Sequence, residues 1–189
     1  VSETTEGVHI HIIDAELMGK GEKEKKDLYI EGVQNNGIIN HYEYIINSEG
    51  TIEIRHVLKP EGKMPLWFPR IGLTLTVSDA LDQVKWYGRG PQENYPDRKT
   101  GYPTGIYAST VQAMYEPYLM PQDYGLRTDV RWLQLTTDKG IGLQFKMNEW
   151  FNFNIYPYST DNLTKAMYTY QLHNRDSGSC LSASAIGRY

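Results

Sequence analysis

Residues 151–156 read Phe151-Asn152-Phe153-Asn154-Ile155-Tyr156. Phe151, Phe153 and Ile155 alternate with Asn152, Asn154 and Tyr156, the period-two pattern of a β-strand with unlike faces. The same signature recurs on both sides. Upstream, Thr128–Thr137 and Ile141–Met147 flank Asp138-Lys139-Gly140, a turn that predicts a hairpin, with Val130, Trp132 and Leu133 as inward anchors. Ile71, Leu73, Leu75 and Val77 alternate with Gly72, Thr74 and Thr76 as another strand.

Toward the N-terminus, Val8, Ile10 and Ile12 share a face and His9 and His11 take the other, which puts the two histidines at a surface instead of in a metal site. Gly19–Asp27 mixes charges and glycines as an exposed loop does. Leu28–Val33, Ile38–Asn47 and Thr51–Leu58 follow as a predicted meander, separated by turns rich in Asn and Gly. Lys59–Pro69 carries three prolines and reads as a connection. Only Thr160–Tyr168 has helical spacing, with Ser159 or Thr160 as its cap. Many strands and at most one short helix predict an all-β fold, an antiparallel β-sandwich over residues 1–176, with small, polar residues 177–189 as a poorly ordered tail.

Composition narrows the function. A net charge of -4 with scattered Lys and Arg gives no basic stripe, so nucleic acid is not an expected partner. No apolar run has the length of a membrane span, so no membrane partner is expected, and the first residues lack the basic start and hydrophobic stretch of a secretory signal. Cys180 is the single cysteine and leaves the compartment open. The 15 Tyr and 4 Trp against 4 Phe suit half-buried strands and also the stacking faces that hold sugar rings.

The candidate site is Trp86–Arg98, WYGRGPQENYPDR, at the head of a proline-rich middle running to about Gly125. Arg89, Asn94, Asp97 and Arg98 offer directional donors and acceptors for sugar hydroxyls, and Trp86, Tyr95, Tyr102 or Tyr118 can stack on a sugar face. The other reading is a self-braced crossover in which these groups bond to their own loop. Glu93 and Asp97 are a conceivable acid–base pair, yet Arg89 and Arg98 beside them would lower a carboxyl pKa where a general acid needs it raised.

Three separated motifs, VKWYGRGPQENYPDRKTG at 84–101, YEPYLMPQDYGLRTDVRW at 115–132 and FNFNIYPYSTDNL at 151–163, stand in the same order as in one known family. Together with PRIGL at 69–73, they make the chain, from about Ile38 to Asp176, resemble the C-terminal sandwich domain of the bacterial β-galactosidases of glycoside hydrolase family 2. The resemblance implies a supersandwich of the galactose mutarotase type, incomplete at both ends. It implies a non-catalytic domain that walls the substrate cleft and packs on a separate catalytic barrel. The catalytic glutamates and the ligands of the parent's magnesium and sodium lie mainly in that barrel, so no cofactor and no catalytic residue is expected in this chain. The family's Gly-Gly-x-x-Ser-Trp segment, whose Trp reaches the galactoside, has no match after Asp176. Expected partners are the parent's barrel and other domains, galactose-containing sugars, and a second copy of the chain through open sheet edges. The alternatives are a stand-alone carbohydrate-binding module and a mutarotase-like epimerase.

Overall fold

The computed structural model describes residues 2–4, 7–17, 37–62, 71–174 and 178–185. The chain is all-β and antiparallel, with two sheets in two compact units, residues 1–68 and 69–189. This is the strand-dominated class expected of a sandwich sequence. The predicted loop at Gly19–Asp27 and strand at Leu28–Val33 lie outside the described residues.

The first unit is a four-stranded sheet in chain order: β1 (Ser2–Thr4), β2 (Gly7–Leu17), β3 (Gly37–Ile46) and β4 (Ile52–Glu61). Asn47 closes the β3–β4 turn by accepting the amides of Glu49 and Thr51 on its side chain, the Asx geometry that its residue type favours. One face carries Tyr42 stacked on His56 with ring centroids 4.3 Å apart, and His56 Nε2 lies 2.9 Å from Asn40 Oδ1. On the other face of β4, Arg55 pairs with Glu53 and Glu43. β4 runs three residues further than the sequence suggested, past Pro60 to Glu61. A proline is tolerated there because β4 is an edge strand and its missing N–H breaks no ladder.

The second unit is a six-stranded sheet built from β5 (Gly72–Val77), β6 (Gln83–Arg89), β7 (Thr104–Thr110), β8 (Arg127–Thr136), β9 (Gly142–Tyr156) and β10 (Ser179–Ala185), ordered β5-β10-β9-β8-β6-β7. One helix, α1 (Thr160–Lys165), follows β9, and Ser159 caps it by accepting the Asn162 amide at 3.0 Å. The alternation at Phe151–Tyr156 holds. Phe151, Phe153 and Ile155 join Val84, Trp86, Leu133 and Leu181 in one core cluster, and Tyr156 joins Tyr124, Leu163 and Cys180 in another.

Three expectations change. Residues 178–185 are not a tail: β10 lies between β5 and β9, pairing Leu181 with both Leu75 and Ile155. Its small residues, Ser182, Ala183 and Ser184, are all buried; they lack the bulk that makes a strand legible, yet they suit a position covered on both faces. Trp86–Arg89 belongs to β6 and Thr104–Thr110 to β7, so the irregular segment starts at Gly90 and strand order resumes within the proline-rich middle. Trp132 is not a core anchor. The β8–β9 register slips on both sides of Val130, which breaks the simple alternation; Val130 and Leu133 are buried, while Trp132 sits beside Tyr87 with centroids 6.4 Å apart.

Candidate functional site

The loop of residues 90–103 leaves the end of β6 and returns as β7. β6 buries Val84, Trp86 and Gly88 and exposes Lys85 and Tyr87. Trp86 is 1% exposed, packed against Tyr107 and edge-on to Phe153, with the Arg127 guanidinium 5.4 Å from its ring centre. Its indole N–H donates to the Arg89 carbonyl at 3.0 Å. Gly90 must be small, because a Cβ there would lie 2.8 Å from the Tyr107 ring and 3.1 Å from the indole.

Arg89 fastens the two ends of the loop. Its Nη1 donates to the carbonyls of Tyr102 and Lys99 at 2.9 and 3.2 Å, and its Nε pairs with Asp129. Lys99 takes the second Asp129 oxygen at 2.6 Å. Asp129 stands in the first slip of β8 with φ +54, a left-handed conformation that L residues other than Asn and Asp rarely adopt. Burial opposes its charge, but the bonds from Lys99 and Arg89 prevail and hold its carboxyl below the ordinary value.

Glu93 is 6% exposed and accepts from four donors: the Tyr118 hydroxyl, the Gly125 amide at 2.8 Å, Arg98 at 2.9 Å and the Tyr95 hydroxyl at 3.3 Å. Gly125 presents that amide from φ +74, a conformation glycine adopts without strain. Burial alone would raise the Glu93 pKa; the four donors outweigh it and keep the carboxyl low. Asn94 is fully buried, with its carbonyl oxygen accepting the Thr128 amide and hydroxyl at 3.0 and 2.5 Å. Arg127, 3% exposed, donates to the Gly125 carbonyl at 2.9 Å, and burial pushes its pKa down to about 10.

Of the residues read as candidates, Arg89, Glu93, Asn94, Tyr95, Arg98 and Tyr118 thus meet one another or the strands beneath them. Pro96, Asp97 and Arg98 are among the loop residues exposed to solvent, with the Arg98 guanidinium 5.4 Å from the Tyr95 ring centre and its side chain 52% exposed. Asp129, Lys99, Thr128 and Arg127 were missed as loop partners. The available signal was the polar Arg127-Thr128-Asp129 start of β8, ahead of its first apolar residue, Val130.

A carboxylate as satisfied as Glu93 keeps its charge and its position, the reverse of a general acid, whose pKa must rise toward neutrality. Among the described residues, no three His, Cys, Asp or Glu side chains converge as a metal would need. Among the same residues, no helix is long and apolar enough to cross a membrane.

Residues 5–187 match the family described as β-galactosidase small chain. A β-galactosidase of Priestia megaterium is 40% identical over 134 residues, 71% of this chain and 13% of that protein. The β-galactosidase of Vibrio cholerae serotype O1 is 39% identical over 104 residues, covering 55% and 10%, and that of Lactobacillus delbrueckii subsp. bulgaricus is 40% identical over 107 residues, covering 56% and 10%. The chain therefore spans about a tenth of the length of the curated relatives it matches. With three motifs in family order and a match running nearly end to end, the chain belongs to the β-galactosidase small chain family.

Proposed function

We propose that this chain is a non-catalytic domain of a β-galactosidase, in which the loop of residues 90–103 forms a fixed wall of the sugar cleft and packs beside a separate catalytic domain. The parent reaction would be hydrolysis of terminal β-D-galactosides. The observation that carries this reading is the match over residues 5–187 to a family whose relatives are roughly fivefold longer. The bracing of Glu93 and Asp129 supports it, since both carboxylates hold loop geometry and neither is tuned for proton transfer. The test is complementation. A relative's β-galactosidase lacking the matching segment, mixed with this chain, should recover hydrolysis of a chromogenic galactoside; no recovery contradicts the reading.

A second reading, that the loop binds galactosides outside a parent, is favoured by the exposed Asp97 and Arg98 above the Tyr95 ring. Trp86, enclosed in the core, would then act by supporting the loop, and contact would fall to Tyr95, Asp97 and Arg98. Calorimetric titration with galactose, repeated on Arg98→Ala, tests it; saturation lost in the variant is expected, and no saturation in the parent chain contradicts it. For an epimerase, the loop would need a base, and Glu93 is committed to four donors.

A further inference from the structure

On the face of the six-stranded sheet opposite the core residues Val84, Trp86 and Leu133, strand register sets Ile106, Tyr87, Trp132 and Lys146 side by side across β7, β6, β8 and β9. At the spacing of paired strands this row is about 14 Å long. Ile106 is 62% exposed. The register slip beside Val130 brings Arg131 onto the row: its guanidinium lies 4.9 Å from the Tyr87 ring centre and 4.1 Å from that of Trp150, itself 51% exposed. We propose that an acidic surface of another domain of a parent β-galactosidase docks on this face and places a carboxylate on Arg131. The proposal rests on the reading of the chain as one domain of a larger enzyme.

Arg131 is a cation held ready for an acceptor. One guanidinium N–H donates to the Asp129 carbonyl at 2.6 Å; among the described residues, the others have no acceptor. Among the same residues, neither Arg131 nor Lys146 and Lys85 on the same face is ion-paired, the exposed Glu149 of β9 included. The two rings fix the orientation of the guanidinium fork, which lowers the entropy lost when a carboxylate takes it bidentately. Trp, Tyr and Arg are also the residue types on which protein interfaces concentrate their energy. A sugar fits less well, because Arg131 covers a face of both Tyr87 and Trp150, and Trp132 is tilted 54° to Tyr87, so these rings form no flat platform. The face is continuous with the loop of residues 90–103: Arg131 holds the carbonyl of Asp129, whose carboxylate holds Arg89 and Lys99. Relatives roughly fivefold longer leave most of such a parent outside this chain.

The experiment titrates the 189-residue chain into the Priestia megaterium β-galactosidase lacking its matching segment, with association followed by calorimetry and by recovered galactoside hydrolysis. Arg131→Glu should raise the concentration for half-recovery at least about tenfold. Lys146→Glu, at an exposed position that leaves the fold intact, should raise it too, and Arg131→Lys, which keeps the charge without the fork, should fall between Arg131→Glu and the unaltered chain. Lys139→Ala, in the β8–β9 turn, should change nothing. Recovery at an unchanged concentration in Arg131→Glu and Lys146→Glu overturns the docking face and leaves the domain reading standing. Recovery by the unaltered chain that galacturonate blocks, at a concentration where galactose does not, supports a carboxylate on Arg131; equal blocking of Arg131→Glu overturns it. No recovery by the unaltered chain contradicts the domain reading and the docking face with it.

Discussion

Arg89 Nε lies 2.5 Å from Asp129 Oδ2, joining the last residue of β6 to the bulge of β8. Because Lys99 holds the other Asp129 oxygen, one carboxylate ties three chain segments together, and its backbone strain is the cost of aiming it there. Asp129→Ala leaves two cationic groups half-buried without their counter-charge and should cost about 1–3 kcal/mol. Asp129→Gly loses the same ion pairs but no longer opposes φ +54, so it should be the less harmful change by about 1 kcal/mol. Urea unfolding of both variants decides this; a Gly variant no better than Ala would mean that strain at 129 is negligible.

Glu93→Gln keeps the side-chain shape and removes the charge that four donors address. A loss of about 1–3 kcal/mol is expected. Tyr118→Phe should cost less, and the double variant should fall short of the sum by about 0.5–3 kcal/mol, since both changes break one bond. Strict additivity in the double-mutant cycle would show that the Tyr118–Glu93 contact carries no energy.

Acid should loosen this loop before the rest of the sheet. Glu93 and Asp129 both have folded-state pKa values below their ordinary 4.5 and 3.8. A depressed folded pKa contributes stability that is fully present above the unfolded value and is lost as pH falls through the folded one. Unfolding free energy should therefore be flat with respect to these groups above about pH 5 and decline below about pH 4.5. The decline should be shallower in Glu93→Gln. An identical acid profile in that variant would contradict the assignment.

β10 makes a further prediction. Leu181 is fully buried between two strands, so Leu181→Ala should cost about 2–5 kcal/mol. A loss below about 0.5 kcal/mol by urea unfolding would place Ser179–Ala185 outside the folded unit.

The parts legible in the sequence were those with a repeating signal. Phe151–Ile155 and Ile71–Val77 alternate large and small or polar groups, and Ser159 precedes the helix that it caps, so strands and helix could be read locally. β10 was not legible, because its buried residues are mostly Ser and Ala, whose composition is that of a loop; only the neighbours β5 and β9 make it a strand. The bulge at Asp129 hid in the same way. Nothing in RTDVRW states that the register slips, and the slip is what turns Trp132 out of the core. At the candidate site, Arg89, Glu93 and Asn94 were readable as polar loop residues, but whether they face a ligand or their own backbone depends on Gly125, Thr128 and Asp129, about 30 to 40 residues away in sequence.

The most direct measurement is hydrolysis of a chromogenic β-galactoside by the purified chain, alone and mixed with a relative's β-galactosidase lacking the matching segment. A non-catalytic domain predicts no turnover by the chain alone and turnover in the mixture. Turnover by the chain alone would contradict the account at its centre.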